Sequence, residues 1–384
     1  MLLRMLWRNA FRHKLRTGLT LVGITIAILA FGMLRTVIDA WYAGVNASSS
    51  SRLVTRNAVS LVFPLPLHYR ERIRQVEGVA GVSYGNWFGG YYIEPKNFFA
   101  NLAMELPGYL ALYPEFVIDP DPRAALLRDR KGAVVGKKLA DRFGWKLGDT
   151  ITLKGTIFPG DWPLTLRAIY RGRDPTVDET QLFFHWDYVN ETMKRTIPRR
   201  ADQIGFFTIG IKDAKQAAQT AAAIDRQFKN SNAETLTETE KAFQLSFVSM
   251  TEAILDAIRL VSIVVIVIIL AVVGNTMAMS VRERLWEYAV FKTLGFGGWP
   301  IAAMIFGESL VLTLIGGGLG IALTFPAAAM FRRALGQFFP VFEVTTPTVY
   351  LALAAAVTVG TLAALFPTRQ ALRVRIADGL RRLG

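Results

Sequence analysis

Four stretches of this chain are long and apolar enough to cross a membrane as helices, and they limit every other reading. They cover residues 17–34, 254–279, 301–325 and 349–366. Each is close to the roughly 17–25 residues a helix needs to traverse hydrocarbon. Over the 384 residues, 52% are hydrophobic and 19% charged, where soluble domains run nearer about a quarter charged. The apolar excess is gathered in those four windows. Residues 41–253, between the first two, read instead as a polar, mixed segment of a length that suits one or two compact domains. The expected fold class is an α-helical membrane protein with four transmembrane helices in a 1+3 layout, carrying an α+β extracytoplasmic domain between the first and second spans.

The net charge of +14 would suit a nucleic-acid binder, but its placement does not. Arg4, Arg8, Arg12, Lys14 and Arg16 precede the first span with no acid before Asp39. Arg369, Arg373, Arg375, Arg381 and Arg382 follow the last span against a single Asp378. Basic residues crowding the ends of spans are the positive-inside signal. Both termini are therefore expected in the cytoplasm, as an even number of spans requires, with lipid rather than nucleic acid as the surrounding partner. The segment 41–253 then lies outside, 280–300 inside and 332–347 outside, where Arg332 and Arg333 face Glu343. With no cysteine, the outer domain relies on its own core. The first window is long for a signal-peptide core and no small-x-small cleavage site follows it, so it is expected to stay as an anchor.

The boundaries expected are a cytoplasmic amphipathic helix over 1–16, spans over 17–41 and 300–331, the outer domain over 42–240, and a stalk with the second span over 241–280. A cytoplasmic helix over 281–299, a loop over 332–347, the last span over 348–367 and a tail over 368–384 complete the chain. Large apolar residues among the first arginines, Leu2, Leu3, Leu6, Trp7, Phe11 and Leu15, suggest an interfacial helix. Trp41 and Tyr42 suit the outer interface. In the outer domain, 133–135 is a short apolar run, 138–143 has helical spacing ended by Gly144, and Leu147-Gly148-Asp149 makes a turn before a strand over 150–154. Further strands are predicted over 164–170 and 206–211, and a helix over 214–228 with Ala217, Ala221, Ile224 and Phe228 on one face. Phe243, Phe247, Met250 and Ile254 fall at 4-3-4 spacing, which predicts a stalk seam running unbroken into the second span.

No catalytic constellation is present. His13, His68 and His185 are far apart, and no metalloprotease, redox or nucleophile-elbow motif appears. The segment Gly132 to Lys138 imitates a phosphate loop, but it has three residues between its glycines where four are needed, and Lys138 stands where Ser or Thr should be. Asp119 and Asp121, each followed by proline, read as a turn rather than a metal site. Neither catalysis nor a metal or cofactor site is therefore expected in this chain. Glu308 is the intramembrane polar residue that needs an explanation: it must face protein, a cavity or the headgroups. Gly316 and Gly320 form a GxxxG spacing that permits close helix packing, either within one bundle or between subunits.

The most specific signal is the loop after the second span, MSVRERLWEYAVFKTLG over 279–295. Charges at Arg282, Arg284, Glu287 and Lys292 against Leu285, Ala289, Val290 and Leu294 make it amphipathic, and Gly295, Gly297 and Gly298 end it. This loop resembles the segment R-x-x-E-(I/Y)-(A/G)-x-x-(K/R)-x-(L/x)-G that follows the second span in permeases of MacB/FtsX-like ABC transporters. Arg284, Glu287, Lys292 and Gly295 match, with Tyr288 and Ala289 in the usual places. RNAFRHKLRT over 8–17, VGKKLADRFGWKLGDT over 135–150, the third span's Gly-Glu308-Ser with its glycines, and PTRQALRVR over 367–375 resemble the same family in the same order. IADGLR over 376–381 departs from the family's PxEALR ending.

The resemblance implies that 281–299 is a coupling helix, with Arg282, Arg284, Glu287, Tyr288, Lys292 and Gly295 docking onto an ATP-binding subunit. It further implies a separate ABC ATPase as partner, holding ATP and magnesium, and a second permease copy or paralogue. A periplasmic adaptor or lipoprotein is a further expected partner. ATP-driven motion would pass through the stalk to the outer domain and serve export or extraction of a hydrophobic or amphiphilic substrate. A Glu287→Arg substitution is expected to block docking while leaving the fold intact. The alternative is a membrane-anchored sensor or scaffold, such as a cell-wall hydrolase regulator, acting without transport; a proton-coupled carrier built on Glu308 is disfavoured by the lack of an inverted repeat.

Overall fold

The computed structural model describes residues 12–335, 339 and 341–373. The chain forms two compact units, a helical bundle (1–40, 251–336 and 342–384) and a sheet domain (41–250 with 337–341). The amphipathic segment before Arg12 and the tail beyond Arg373 lie outside the described residues.

Besides shorter helices within the sheet domain, the chain has α1 (Lys14–Trp41), α2 (Glu240–Ser249), α3 (Glu252–Glu283), α4 (Leu285–Thr293), α5 (Gly298–Leu335) and α6 (Thr346–Arg373). The four long ones, α1, α3, α5 and α6, have the length and apolarity of membrane spans. Small residues let them approach closely. A Cβ on Gly316 or Gly320 would sit 2.8 Å from Ile24 or Ile28 of α1, and one on Gly317 would sit 2.7 Å from Ala356 of α6. The GxxxG pair therefore packs within the chain, against its own first span. Polar side chains bond to carbonyls of the bundle, as a bilayer demands: Thr324 Oγ1 donates to Gly320 O at 2.8 Å, Ser309 Oγ to Gly360 O at 2.7 Å and Thr25 Oγ1 to Gly316 O at 3.1 Å. Asp39 near the end of α1 accepts from Thr345 and Thr348 at the start of α6, at 2.8 and 2.7 Å.

Two helix ends differ from the sequence expectation. The third apolar helix runs to Leu335, so Arg332 and Arg333 belong to its last turn rather than to a loop, and Arg332 lies 3.6 Å from Glu343. The last helix passes through Pro367 to Arg373. A proline interior to a helix removes one backbone bond, but Ala363, Ala364 and Ala371 stay buried on either side, and that packing carries the helix across.

The domain is built on a mixed sheet of eleven strands, ten in one path and Phe116–Val117 paired beside it with Gly160–Gly172. Its first half is antiparallel: Thr235–Thr239 pairs with Arg52–Asn57, followed by Phe206–Ile211, Val79–Trp87 and Asn101–Met104. Leu182–His185 joins parallel to Asn101–Met104 and leads to Gly132–Gly136, the long Gly160–Gly172, Thr150–Gly155 and Tyr91–Tyr92. The run Ala133, Val134, Val135 is a central strand covered on both faces, since Val134 and Phe183 enter one apolar core while Ala133, Val135 and Phe184 enter the other. This resolves the phosphate-loop imitation. Gly136 is glycine because the backbone of Glu179 occupies the space a Cβ would need. Gly144 ends the next helix at φ 69, the left-handed conformation glycine adopts freely. The helix predicted from 214 begins at Ala217, because Asp213 caps a 3-10 turn over Ala214–Gln216 through Lys215 N.

Chain entry and exit in the domain are locked together. Arg52 at the head of the first strand is buried, and its guanidinium reaches Glu240 at 2.8 Å and Glu115 at 2.7 Å while lying 4.1 Å over the Tyr113 ring. Glu240 opens α2 and also accepts from Tyr113 Oη and Ser49 N, each at 2.9 Å.

The unbroken stalk seam is corrected. α2 stops at Ser249 and α3 starts at Glu252, with Met250 and Thr251 between them and Thr251 at φ −113, ψ 11. Ser246 and Ser249 donate to the carbonyls of Phe243 and Ser246 at 2.7 and 2.8 Å, the local bonding by which serine competes with a helix ladder. Phe243 stacks edge-on to Phe247, and Phe247, Met250 and Ile254 are exposed.

Candidate functional site

Arg284 alone separates α3 from α4; its φ of −114 and ψ of 11 turn the chain out of one helix and into the next. Gly295 at φ 86 ends α4 and frees the chain to enter α5. The short helix thus joins two spans across a backbone break on either side, and its side chains decide what it can touch.

Most of the charges that suggested a docking face turn inward. The Arg284 side chain is buried, with Nη1 2.7 Å from Glu308 Oε2 on α5 and Nε 3.3 Å from Glu287 Oε2 on α4. Glu308 Oε1 accepts from Ser280 Oγ of α3 at 3.2 Å. The intramembrane carboxylate is therefore the counter-ion of Arg284, which offsets the cost of burying either charge alone. Glu287 Oε1 is held by Arg12 Nη1 at 2.7 Å, and nearby Arg16 and His13 reach Glu283 at 2.8 and 3.4 Å. Tyr288 is buried among the spans, and that burial pushes its phenol up to about 12. Lys292 Nζ donates to Leu372 O of α6 at 2.8 Å. These contacts hold α4 to the chain leading into α1 and to α6, and through Arg284 to α5.

Arg284 and Tyr288 are accordingly removed from the expected docking set, because both are covered by the bundle. Arg282 remains exposed. The outward surface is otherwise more apolar than the sequence suggested: Trp286, Leu294 and Phe296 are each at least half exposed. Amphipathic counting placed Leu294 on the inner face; it projects because the helix has already ended at Thr293. The residues missed were Arg12, Ser280 and Trp286. Glu308 and Arg284 do carry a sequence signal: a carboxylate inside the third apolar stretch and a cation at the end of the second are opposite charges that each need a partner near the apolar core.

In the domain, an open depression of about 550 Å³ is lined by Asp121, Ala124, Ala125, Arg128, Asp129 and Arg167, with Asp129 already 2.8 Å from Arg167. Pro120–Arg128 is a helix, so Asp119 and Asp121 sit at its start. Among the described residues no three His, Asp or Glu side chains gather as a metal site.

Residues 17–227 match the MacB-like periplasmic core domain, and residues 259–376 match the FtsX-like permease C-terminal domain. The chain belongs to the MacB/FtsX-like family of ABC transporter permeases. Among relatives of this permease, the macrolide export ATP-binding/permease protein MacB of Shewanella oneidensis is 25% identical over 71% of the chain. The pyoverdine export ATP-binding/permease protein PvdT of Pseudomonas putida is 23% identical over 96%. An ABC transporter permease of Methanocaldococcus jannaschii is 23% identical over 98% of this chain and 96% of its own length. The chain spans only 39% and 57% of the two bacterial exporters. The permease is thus a membrane-integral protein with four apolar spans and a MacB-like domain between the first and second.

Proposed function

We propose that this permease transmits the ATP-driven motion of a separate ABC ATPase subunit to its sheet domain, for export or extraction of a hydrophobic or amphiphilic substrate. The observation that carries the reading is α4 with its flanks: a short helix held against the bundle, with Trp286 exposed on it, Arg282 exposed just before it and Leu294 and Phe296 exposed just after it. A helix held in this way transfers displacement to the bundle instead of absorbing it. The outward apolar side chains, with Trp286 at their centre, form the docking face; Glu287 and Lys292 serve to hold the helix. Aromatic anchors ringed by polar groups are the usual centre of such interfaces.

Orientation follows the charges. Arg12 precedes α1, Lys14 and Arg16 begin it, and Arg369 and Arg373 lie in the last turns of α6, so the end of the bundle bearing α4 faces the cytoplasm and both termini lie there. ATP and magnesium belong to the ATPase subunit, and a second permease copy or paralogue completes the assembly, joined by an extracytoplasmic adaptor or lipoprotein where the system has one. The relatives' names, a macrolide exporter and a pyoverdine exporter, support an amphiphilic substrate. The test is affinity purification of the full chain in mild detergent from its native membranes, with identification of co-purifying proteins and an ATPase assay. An ATPase subunit in equal stoichiometry is expected. A preparation free of ATPase in several detergents would overturn the reading in favour of a membrane-anchored sensor or scaffold.

A further inference from the structure

Four charges alternate in a row across the foot of the bundle: Arg12 on the chain leading into α1, Glu287 on α4, Arg284 at the break and Glu308 on α5. Their successive separations are 2.7, 3.3 and 2.7 Å. The last pair is the buried one. Arg284 is also the single residue outside helical geometry between α3 and α4. The side chain of the hinge residue is thus bonded to the helix on one side of the hinge and to a span that is neither of the hinged helices.

We infer that the Arg284–Glu308 pair is a positioning clamp that makes α4 and α5 move as one body, with the articulation falling between α3 and α4. A backbone break at Arg284 leaves α4 free to swing relative to α3. The ion pair removes that freedom relative to α5, because separating the charges would strand both away from water. Ser280 adds one bond from the last turn of α3 to the other oxygen of Glu308, so α3 is tethered through a hydroxyl while α4 is tethered through the charge of Glu287 on the Arg284 guanidinium. Charge-assisted bonds are the stronger kind. Displacement of α4 would then reach α5 first and α3 second. Apolar packing of Tyr288 supports the same association but sets no direction.

The mechanical consequence rests on the proposed coupling role, whereas the clamp itself is a property of the permease alone. The chain has no cysteine, so nitroxides can be placed at Thr293→Cys on α4 and Leu319→Cys on α5, both exposed and neither in the docking face. The full-length permease in lipid nanodiscs should give one narrow distance distribution between them. Glu308→Gln keeps the size of the side chain and an acceptor for Ser280, and should broaden the distribution. The exchanged pair Arg284→Glu with Glu308→Arg should restore it, an outcome that mere cavity filling does not produce. A distribution for Glu308→Gln as narrow as wild type would overturn the clamp, and so would an exchanged pair no narrower than the single variants. Should Glu308→Gln fail gel filtration, recovery of a monodisperse, narrow exchanged pair still supports the clamp and its absence overturns it. With an ATPase subunit and nucleotide added, Glu308→Gln should keep the ATPase bound but lose the nucleotide-dependent shift of the Leu319 label; a retained shift would overturn the inference. Failure to capture any ATPase would remove the coupling role and leave the first measurement standing.

Discussion

At the residue scale, two buried guanidinium groups organise the molecule, one in each unit. Arg52 holds the domain's entry strand to Glu240 at the start of α2. Without Glu240, Arg52 keeps Glu115 as counter-ion, but Tyr113 Oη and Ser49 N lose their acceptor; Glu240→Ala should therefore cost about 1–3 kcal/mol, read as a fall in the denaturant midpoint of the domain. Arg284 plays the matching part in the bundle, and its contact with Glu287 changes an expectation. Glu287→Arg would set a third cation beside Arg12 and Arg284. It should lower the melting temperature and the yield of folded protein rather than disturb docking alone. Trp286→Ala tests docking more cleanly: the side chain is exposed, so melting should be unchanged while co-purification of the ATPase is lost. Loss of folding in Trp286→Ala would show that the side chain packs inside the protein.

At the level of elements, helix contacts turn on the glycines of α5. Gly316 faces Ile24, and overpacking a tight contact costs roughly 1–3 kcal/mol, so Gly316→Val should lower thermal stability in detergent. Gly318 has open space around it, so Gly318→Ala should be silent in the same measurement. The spans were legible from sequence because hydrocarbon thickness imposes a length on them that no soluble element shares. The strands at 150–155 and 206–211 were legible from their apolar patterning, and the central strand at 132–136 only as an apolar run, because burial on both faces removes alternation. The stalk break was not legible: the 4-3-4 spacing of Phe243, Phe247, Met250 and Ile254 continues through it, while the hydroxyls of Ser246 and Ser249 act on the backbone without altering that spacing. In the candidate site, sequence located the helix and its ends but misjudged which way its charges point. Arg284 and Glu287 look alike in a helical pattern. Only the positions of Glu308 and Arg12, brought in from distant parts of the chain, turn them inward.

At the scale of the whole molecule, two units of different physics share one chain. The bundle is held by small residues, self-satisfied hydroxyls and one row of charges, and the outer side of α3 keeps Leu260, Ile263, Val267 and Ile268 exposed, as a lipid-facing helix does. The sheet domain has two apolar cores of its own and needs nothing from the bundle to bury them. Replacing residues 49–239 with a short flexible linker should therefore leave a permease core that inserts and elutes as a single species; aggregation of that core would show that the domain is required for the spans to assemble.

The knot at Arg52 and Glu240 has one more consequence. Because Ser49 and Glu240 lie within a hydrogen bond of each other, the domain departs from and returns to nearly the same point. An insert whose ends meet imposes almost no closure cost on its host. Such a module can be lifted out and another set in its place without moving the ends of the helices that carry it.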